Sequence, residues 1–129
     1  MHENEVAREV VDSAIQIHRE LGPGLLESVY DMVMAHELSR RGLKVQQQVP
    51  ISIVYGSKTF PAAFRADLIV ESIVLVEIKS VETLARVHYK QVVTYIRLAD
   101  LRLGLLINFG AELVKDGIFR VVNKFDDGR

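Results

Sequence analysis

Phe64-Arg65-Ala66-Asp67-Leu68-Ile69-Val70-Glu71-Ser72-Ile73-Val74-Leu75-Val76-Glu77-Ile78-Lys79 joins two apolar runs across a short turn. Charges interrupt both runs: Asp67 in the first, Glu77 and Lys79 in the second. Side chains alternate faces along a strand, so Glu77 and Lys79 share a face and Ile78 takes the other. A charge in a buried strand is costly unless it is paired or coordinated. If Val70 opposes Val74, then Leu68, Ala66 and Phe64 oppose Val76, Ile78 and Ser80 on one nearly apolar face. The other face sets Asp67 against Glu77 and Arg65 against Lys79. A two-residue turn at Glu71-Ser72 would move Asp67 onto the valine face, a slip that is strongly disfavoured. A three-residue turn or a bulge is therefore expected.

Two readings of this cluster stand side by side. In the first, Asp67 and Glu77 are hard oxygen ligands on neighbouring strands, suited to Mg²⁺, which takes one or two carboxylates and keeps several waters. Such an ion polarises a phosphoryl oxygen and lowers the pKa of bound water. Lys79 could then orient that water or stabilise developing charge. In the second, Arg65 and Lys79 merely neutralise two acids across the strands. The pattern alone leaves both open.

Outward from this hairpin, residues 4 to 21 read as an amphipathic helix, with Val6, Val10, Ala14, Ile17 and Leu21 spaced by three or four. Gly22-Pro23-Gly24 stops it. A second helix is expected from about Leu25 to Arg41, with Leu26, Val29, Val33 and Leu38 as core stripe. Glu27, Tyr30, Met34 and Glu37 form the adjacent stripe. Glu27 and Glu37 lie roughly 15 Å apart along the axis and cannot share a ligand; Glu37 can pair with Arg41. Residues 43 to 55 alternate as a strand, and Pro50 implies an edge or a bulge. Strands follow over about 59–70 and 73–79. A helix is expected from about Leu84 to Leu98, then a doubly buried strand over 103–109. A connector leads to a last strand at 118–122, and the tail from Lys124 is polar. The order is α-α-β-β-β-α-β-β.

At 129 residues, with 49% hydrophobic and 26% charged residues, the chain is expected to form one domain, residues 1–129, with a core over about 5–123. There is no cysteine, which excludes disulfides and thiolate metal sites. The start, Met1-His2-Glu3-Asn4-Glu5, lacks a signal peptide's apolar core, and no apolar run approaches the roughly 20 residues that span a bilayer. A cytoplasmic protein with no membrane partner is the expectation. Sixteen basic and 17 acidic residues give a net charge of −1, so tight nonspecific binding through many phosphate contacts is not expected. Contact with nucleic acid would be local, metal-assisted, or made by a homo-oligomer or with a protein partner. No Ser/His/Asp triad, phosphate loop or dinucleotide fingerprint is present.

Asp67 followed by Glu77-Ile78-Lys79 on the next strand resembles the core of the PD-(D/E)xK nuclease superfamily. The chain is more specifically similar to the GxxExxY family of small proteins assigned there. Gly24-Leu25-Leu26-Glu27-Ser28-Val29-Tyr30 matches the naming motif. Val87-His88-Tyr89-Lys90-Gln91-Val92-Val93-Thr94-Tyr95 and Gly104-Leu105-Leu106-Ile107-Asn108-Phe109 match the rest, over roughly residues 5 to 123. Ala66 stands where the superfamily's label has Pro, at a position that carries no chemistry.

The resemblance implies an α/β, restriction-endonuclease-like fold: an αβββαβ core with a mixed sheet flanked by helices, plus an extra N-terminal helix. It also implies a Mg²⁺- or Mn²⁺-dependent nuclease, a phosphodiester hydrolase acting on DNA or RNA. Asp67 and Glu77 become metal ligands, Lys79 the catalytic cation, and Glu27 a third acid approaching from the second helix. Without the motif, Glu27 reads as a helix-start glutamate favoured by the dipole. Gln91 would hold the attacking water or a phosphate. Tyr30, His88, Tyr95 and Arg65 support. Tyr30 is expected to pack, with its hydroxyl on a site residue, and His88 reads equally as a hydrogen-bonded helix-edge histidine. The competing class is a non-catalytic nucleic-acid-binding or scaffold protein that keeps the nuclease fold, acting as a homodimer.

Overall fold

In the computed structural model, which describes residues 1–124, the elements follow the expected order. They are α1 (Glu3–Leu21), α2 (Glu27–Arg40), β1 (Val45–Tyr55), β2 (Lys58–Val70), β3 (Val74–Lys79), α3 (Arg86–Leu98), β4 (Leu103–Asn108), a 3₁₀ turn (Val114–Gly117) and β5 (Ile118–Val122). The polar tail expected after Lys124 lies outside the described residues. One five-stranded sheet has the order β1-β2-β3-β4-β5. Only β3 and β4 are parallel, because α3 carries the chain back across the sheet between them. This is a mixed α/β sheet with an N-terminal helix, of restriction-endonuclease-like type.

Each helix is placed by identifiable groups. At the start of α1, the Asn4 N–H donates to His2 Nδ1 and the His2 N–H to Glu5 Oε1, both at 3.0 Å. Glu3, also in that first turn, takes two hydrogen bonds from Arg102 and so ties α1 to the far end of α3's crossover. The apolar stripes of α1 and α2 cover one sheet face with Leu68, Val70, Val74, Val76, Ile78, Leu105 and Ile107. On the opposite face, Val92 and Ile96 of α3 pack with Ala66, Ile69, Leu75 and Leu106. Gly104 lets α3 come this close, since a Cβ there would sit 2.8 Å from both Val92 and Ile96 side chains. β4 is buried throughout, as its unbroken apolar sequence requires.

The hairpin has the expected three-residue turn. Val70 pairs with Val74 and Leu68 with Val76, while Glu71 and Ser72 take left-handed φ of 52° and 61°. Two expectations need correction. The core stripe of α2 is Tyr30, Met34 and Leu38, with Asp31 and Ala35 beside it, whereas Leu26 is exposed. Tyr30 sets this rotation because its ring stacks on Phe109 at 4.3 Å. Likewise, Phe64 and Ala66 do not share the face of Leu68 and Val70. They lie on the α3 side, Phe64 stacked on Tyr95 at 4.0 Å. Gln48, opposite Asp67, has φ 49°, and this break reverses the alternation of both strands at that point. β1 is an edge strand, as Pro50 implies.

Candidate functional site

At Asp67 the β2–β3 ladder stops being a ladder. The last paired residues are Leu68 and Val76; beyond them the strands are joined through side chains. The Asp67 N–H donates to Glu77 Oε1 at 3.0 Å, and the Ile78 N–H donates to Asp67 Oδ2 at 2.8 Å. Two carboxylates thus stand in the fork where the strands part. Lys79 and Asn108 end the parallel pair β3–β4, so the fork opens at the carboxyl end of the parallel strands, where open α/β sheets bind ligands.

A third acid enters from α2, and it is Asp31. Its side chain is buried, with Oδ2 accepting from Gln48 Nε2 at 2.6 Å and Oδ1 buried without a hydrogen-bond partner. The same Gln48 amide lies 3.5 Å from Asp67 Oδ1, so the left-handed residue of β1 bridges the two acids. Neither Asp31 nor Gln48 was among the residues expected from the motifs. The signal for Asp31 was present: it stands one residue from Tyr30 and three from Met34, a carboxylate on an apolar stripe. Choosing the neighbouring stripe as core hid it. Gln48 acts through a backbone break that strand alternation does not reveal.

The electrostatics follow from burial and crowding. Glu77, 5% exposed, has its carboxyl pushed up to about 8, first by burial and then by the charge of Asp67. Burial likewise raises Asp67, opposed by its hydrogen bond from Ile78. Asp31 is raised by burial against the pull of Gln48, with Asp67 adding to the rise. Tyr95 is raised by burial and then by the charges of Glu77 and Asp67, which sets its phenol near the acids. The charge of Lys79 favours ionisation of both Asp67 and Glu77, yet Lys79 makes no direct ion pair with either among the described residues.

The remaining candidates divide. Glu27 begins α2 and is exposed, on the rim of an open cleft of about 500 Å³ that it shares with Ser80, the residue after Lys79. Its charge still reaches Asp67. Gln91 is half-buried one turn before Tyr95 on α3. His88 accepts from the Ala85 N–H at 3.1 Å and so belongs to the start of α3. Tyr30 is fully buried; its hydroxyl donates to Gly22 O and accepts from the Leu25 N–H, holding the Gly22–Gly24 loop rather than a site side chain. Arg65 is exposed and opposed by Pro50 of β1, and the β2–β3 ladder does not extend to set it against Lys79.

The walls of the fork are built by the motif after β4. Asn108 Oδ1 accepts from the N–H groups of Val81 and Gly110, and its Nδ2 donates to Val81 O. A Cβ at Gly110 would lie 2.2 Å from Val81 O, so only glycine lets the loop after Lys79 seat there. The Phe109 N–H donates to Lys79 O at 2.8 Å, and His18 of α1 bonds Phe109 O. Lys79 is therefore held from behind by backbone.

The sequence matches the PD-(D/E)XK nuclease superfamily over residues 4–121. The chain belongs to that superfamily. No curated protein matches it. Its fold is similar to the crystal structure of SSO0001, with a TM-score of 0.55 at 19% identity. That match covers 78% of this chain and 52% of the other, so the chain spans about half the length of that protein. For a PD-(D/E)XK nuclease chain, the fork acids are where the divalent metal usual in such enzymes would be sought. Among the described residues no three His, Asp or Glu side chains already form a metal cage. The donor set nevertheless fits Mg²⁺, which needs one or two carboxylates and water. The raised carboxyl of Glu77, pushed up by burial and by the charge of Asp67, and an orphaned oxygen on Asp31 also leave a cation's charge wanted there. None of the helices of the described residues is long and apolar enough to cross a membrane.

Proposed function

We propose that the chain is a metal-dependent nuclease of GxxExxY type, hydrolysing phosphodiester bonds in DNA or RNA. The observation that carries this reading is the fork itself, where Glu77 is buried beside Asp67 with no ion pair to either among the described residues, and its carboxyl is pushed upward by that burial. A structural ion pair would lower a carboxyl, so these acids are not kept for their mutual stability. Asp67 and Glu77 are the residues that would hold Mg²⁺ or Mn²⁺, with Asp31 through Gln48 steadying Asp67. The bound ion would polarise the phosphoryl oxygens and acidify a water.

The chain's own groups do the rest. Lys79, half-buried and held by the Phe109 N–H on its carbonyl, presents its ammonium to the charge that grows on the phosphate oxygens. Glu27, on the open rim, accepts the proton that a water-derived nucleophile releases, or passes it to solvent. Gln91 positions water or phosphate from α3. Tyr95 and Phe64 wall the fork and limit water. Tyr30, His88 and Arg65 serve packing, helix initiation and the outer surface. A soluble protein acting in the cytoplasm fits this chemistry.

The deciding experiment measures cleavage of labelled single- and double-stranded DNA and RNA with Mg²⁺, Mn²⁺ or chelator. Metal-dependent cleavage by wild type, lost in Lys79→Ala while calorimetric Mg²⁺ binding persists, is the expected result. No cleavage of any substrate, with metal binding equal in wild type, Asp67→Asn and Glu77→Gln, would sink it and leave a non-catalytic binding protein.

A further inference from the structure

Beyond the pairing of Ile51 with Phe64, β1 and β2 run on as a two-stranded arm to the turn between Tyr55 and Lys58. Every residue from Val54 to Ala63 is exposed. The register shifts between Ile51 and Ile53, opposite Ala62 at φ 50°, a bulge at the root of the arm. The tip carries apolar and aromatic surface that solubility does not require: Val54 is 70% exposed, Tyr55 80% and Phe60 39%. Lys58 Nζ lies 5.1 Å from the centre of the Phe60 ring.

Its charge is one-sided. From Val49 to Ala66 there is no Asp or Glu, while Lys58 and Arg65 are cations, in a chain whose net charge is −1. Three residue pairs, Val49–Ala66, Pro50–Arg65 and Ile51–Phe64, join the arm to the Gln48–Asp67 break, so the arm leads toward the acid fork. Lys58 and Asp67 stand nine positions apart, a span of about 30 Å at roughly 3.3 Å per residue.

Two occupants could cover such an arm, a second copy of the chain or a nucleic acid. Strand addition by a second copy is opposed by the edge itself. Pro50 lacks an N–H, and Gln48 and Ala62 hold left-handed backbone that interrupts a pairing template. An exposed ring, a cation beside a second ring, and no carboxylate fit bases and phosphates. Few cations release few counterions, so affinity would come from stacking, which needs unpaired bases.

We propose that the β1–β2 arm is a platform for unpaired nucleic acid: Tyr55 and the Lys58–Phe60 pair meet bases, and Lys58 and Arg65 meet phosphates. The strand is thereby led toward Asp67 and Glu77. This rests on reading that fork as the place where phosphodiesters are hydrolysed, and names its substrate as single-stranded.

The test is fluorescence anisotropy of the full chain with a labelled 20-nucleotide single strand, DNA or RNA, and with the same sequence as duplex, in chelator. Wild type should bind the single strand more tightly than the duplex. Tyr55→Ala and Phe60→Ala should each weaken binding about tenfold, and Tyr55→Trp should restore it. Lys58→Gln should flatten the salt dependence by roughly 0.7 in log–log slope. Duplex preference, or unchanged binding in Tyr55→Ala, overturns the proposal. So does a wild-type dimer that Tyr55→Ala converts to monomer in sedimentation, since the arm would then be an interface between copies. Glu77→Gln separates the two levels, because it removes cleavage without touching the arm. Stacking-dependent binding with no cleavage by wild type in any metal supports the platform while overturning the hydrolytic reading.

Discussion

Glu37 near the end of α2 and Glu77 in β3 are almost equally withdrawn from water, 6% and 5% exposed. Their carboxyls nevertheless move in opposite directions, to about 2 and to about 8. Glu37 accepts from Arg40 at 3.0 and 2.8 Å and from Arg41 at 2.8 Å, and Arg41 reaches on to Glu9 of α1. Glu77 has the charge of Asp67 across the fork and of Asp31 beyond it, and in its favour the Asp67 N–H and the more distant charge of Lys79. Burial pushes both upward and is the largest cause at Glu77, whereas at Glu37 the bonds from two arginines outweigh it. Two arginines make Glu37 a clasp between α1 and α2. The acids around Glu77 instead store unfavourable charge that a cation would relieve. One glutamate serves the fold, and the other is tolerated by it.

The largest expected consequence is on catalysis. Glu77→Gln should reduce metal-dependent cleavage at least about 10³-fold, the scale on which a preorganised electrostatic group acts. Glu37→Gln should leave the rate within about threefold once the protein is shown to be folded. Comparable losses in both variants, in a gel-based cleavage assay, would break the comparison.

Metal affinity sharpens it next. Titration calorimetry with Mg²⁺ or Mn²⁺ should show Asp67→Asn binding about 100-fold more weakly, and Glu37→Gln unchanged. Asp31→Asn should lose about tenfold, the usual scale for a group that steadies a ligand. A loss in Asp31→Asn as large as that in Asp67→Asn would make Asp31 a ligand itself.

That experiment turns on a residue that sequence reasoning passed over. Asp67, Glu77 and Lys79 were legible because each breaks an apolar strand, and the Val70–Val74 register followed from keeping valines together. Glu37 with Arg41 was legible because helix spacing is regular. Asp31 was not, because α2 offers two adjacent apolar stripes, and the choice depends on Tyr30 meeting Phe109, a contact between residues 79 positions apart. The reversal at Gln48 was illegible for a related reason: no glycine marks its left-handed backbone. Local periodicity yields elements and their faces only until a tertiary contact rotates one or a bulge inverts another. The site lies where both happen.

Stability separates the two regions in the opposite order. In excess chelator, Glu37→Gln gives up charge-assisted bonds to two arginines and should lose roughly 1–3 kcal/mol. A melting temperature lower by several degrees follows for a chain of this size. Under the same conditions Asp67→Asn should be unchanged or more stable by up to about 1 kcal/mol, because it removes one of a set of mutually repelling acids. A sharp fall in Asp67→Asn would mean that Asp67 serves a structural bond, its acceptance from the Ile78 N–H being the candidate.

The pH dependence is the effect whose sign says most. Glu37, lowered, adds stability that is present above its unfolded value of 4.5 and is lost as pH falls from there toward 2. Glu77, raised, behaves inversely. Between 4.5 and about 8 the folded protein keeps a proton that the unfolded chain has released, so stability must decline as pH rises through that window. In chelator, the difference in unfolding free energy between wild type and Glu77→Gln should therefore move steadily against wild type from pH 5 to pH 8. Subtracting the variant removes whatever the four histidines contribute. Saturating Mg²⁺ should reverse the slope, because carboxylate ligands bind only when deprotonated and the folded state then releases the proton first. Chemical denaturation at pH 5, 6.5 and 8, with chelator and with Mg²⁺, reads both slopes. A wild type that gains stability on the variant with rising pH in chelator would place a cationic partner on Glu77 and make it a second Glu37.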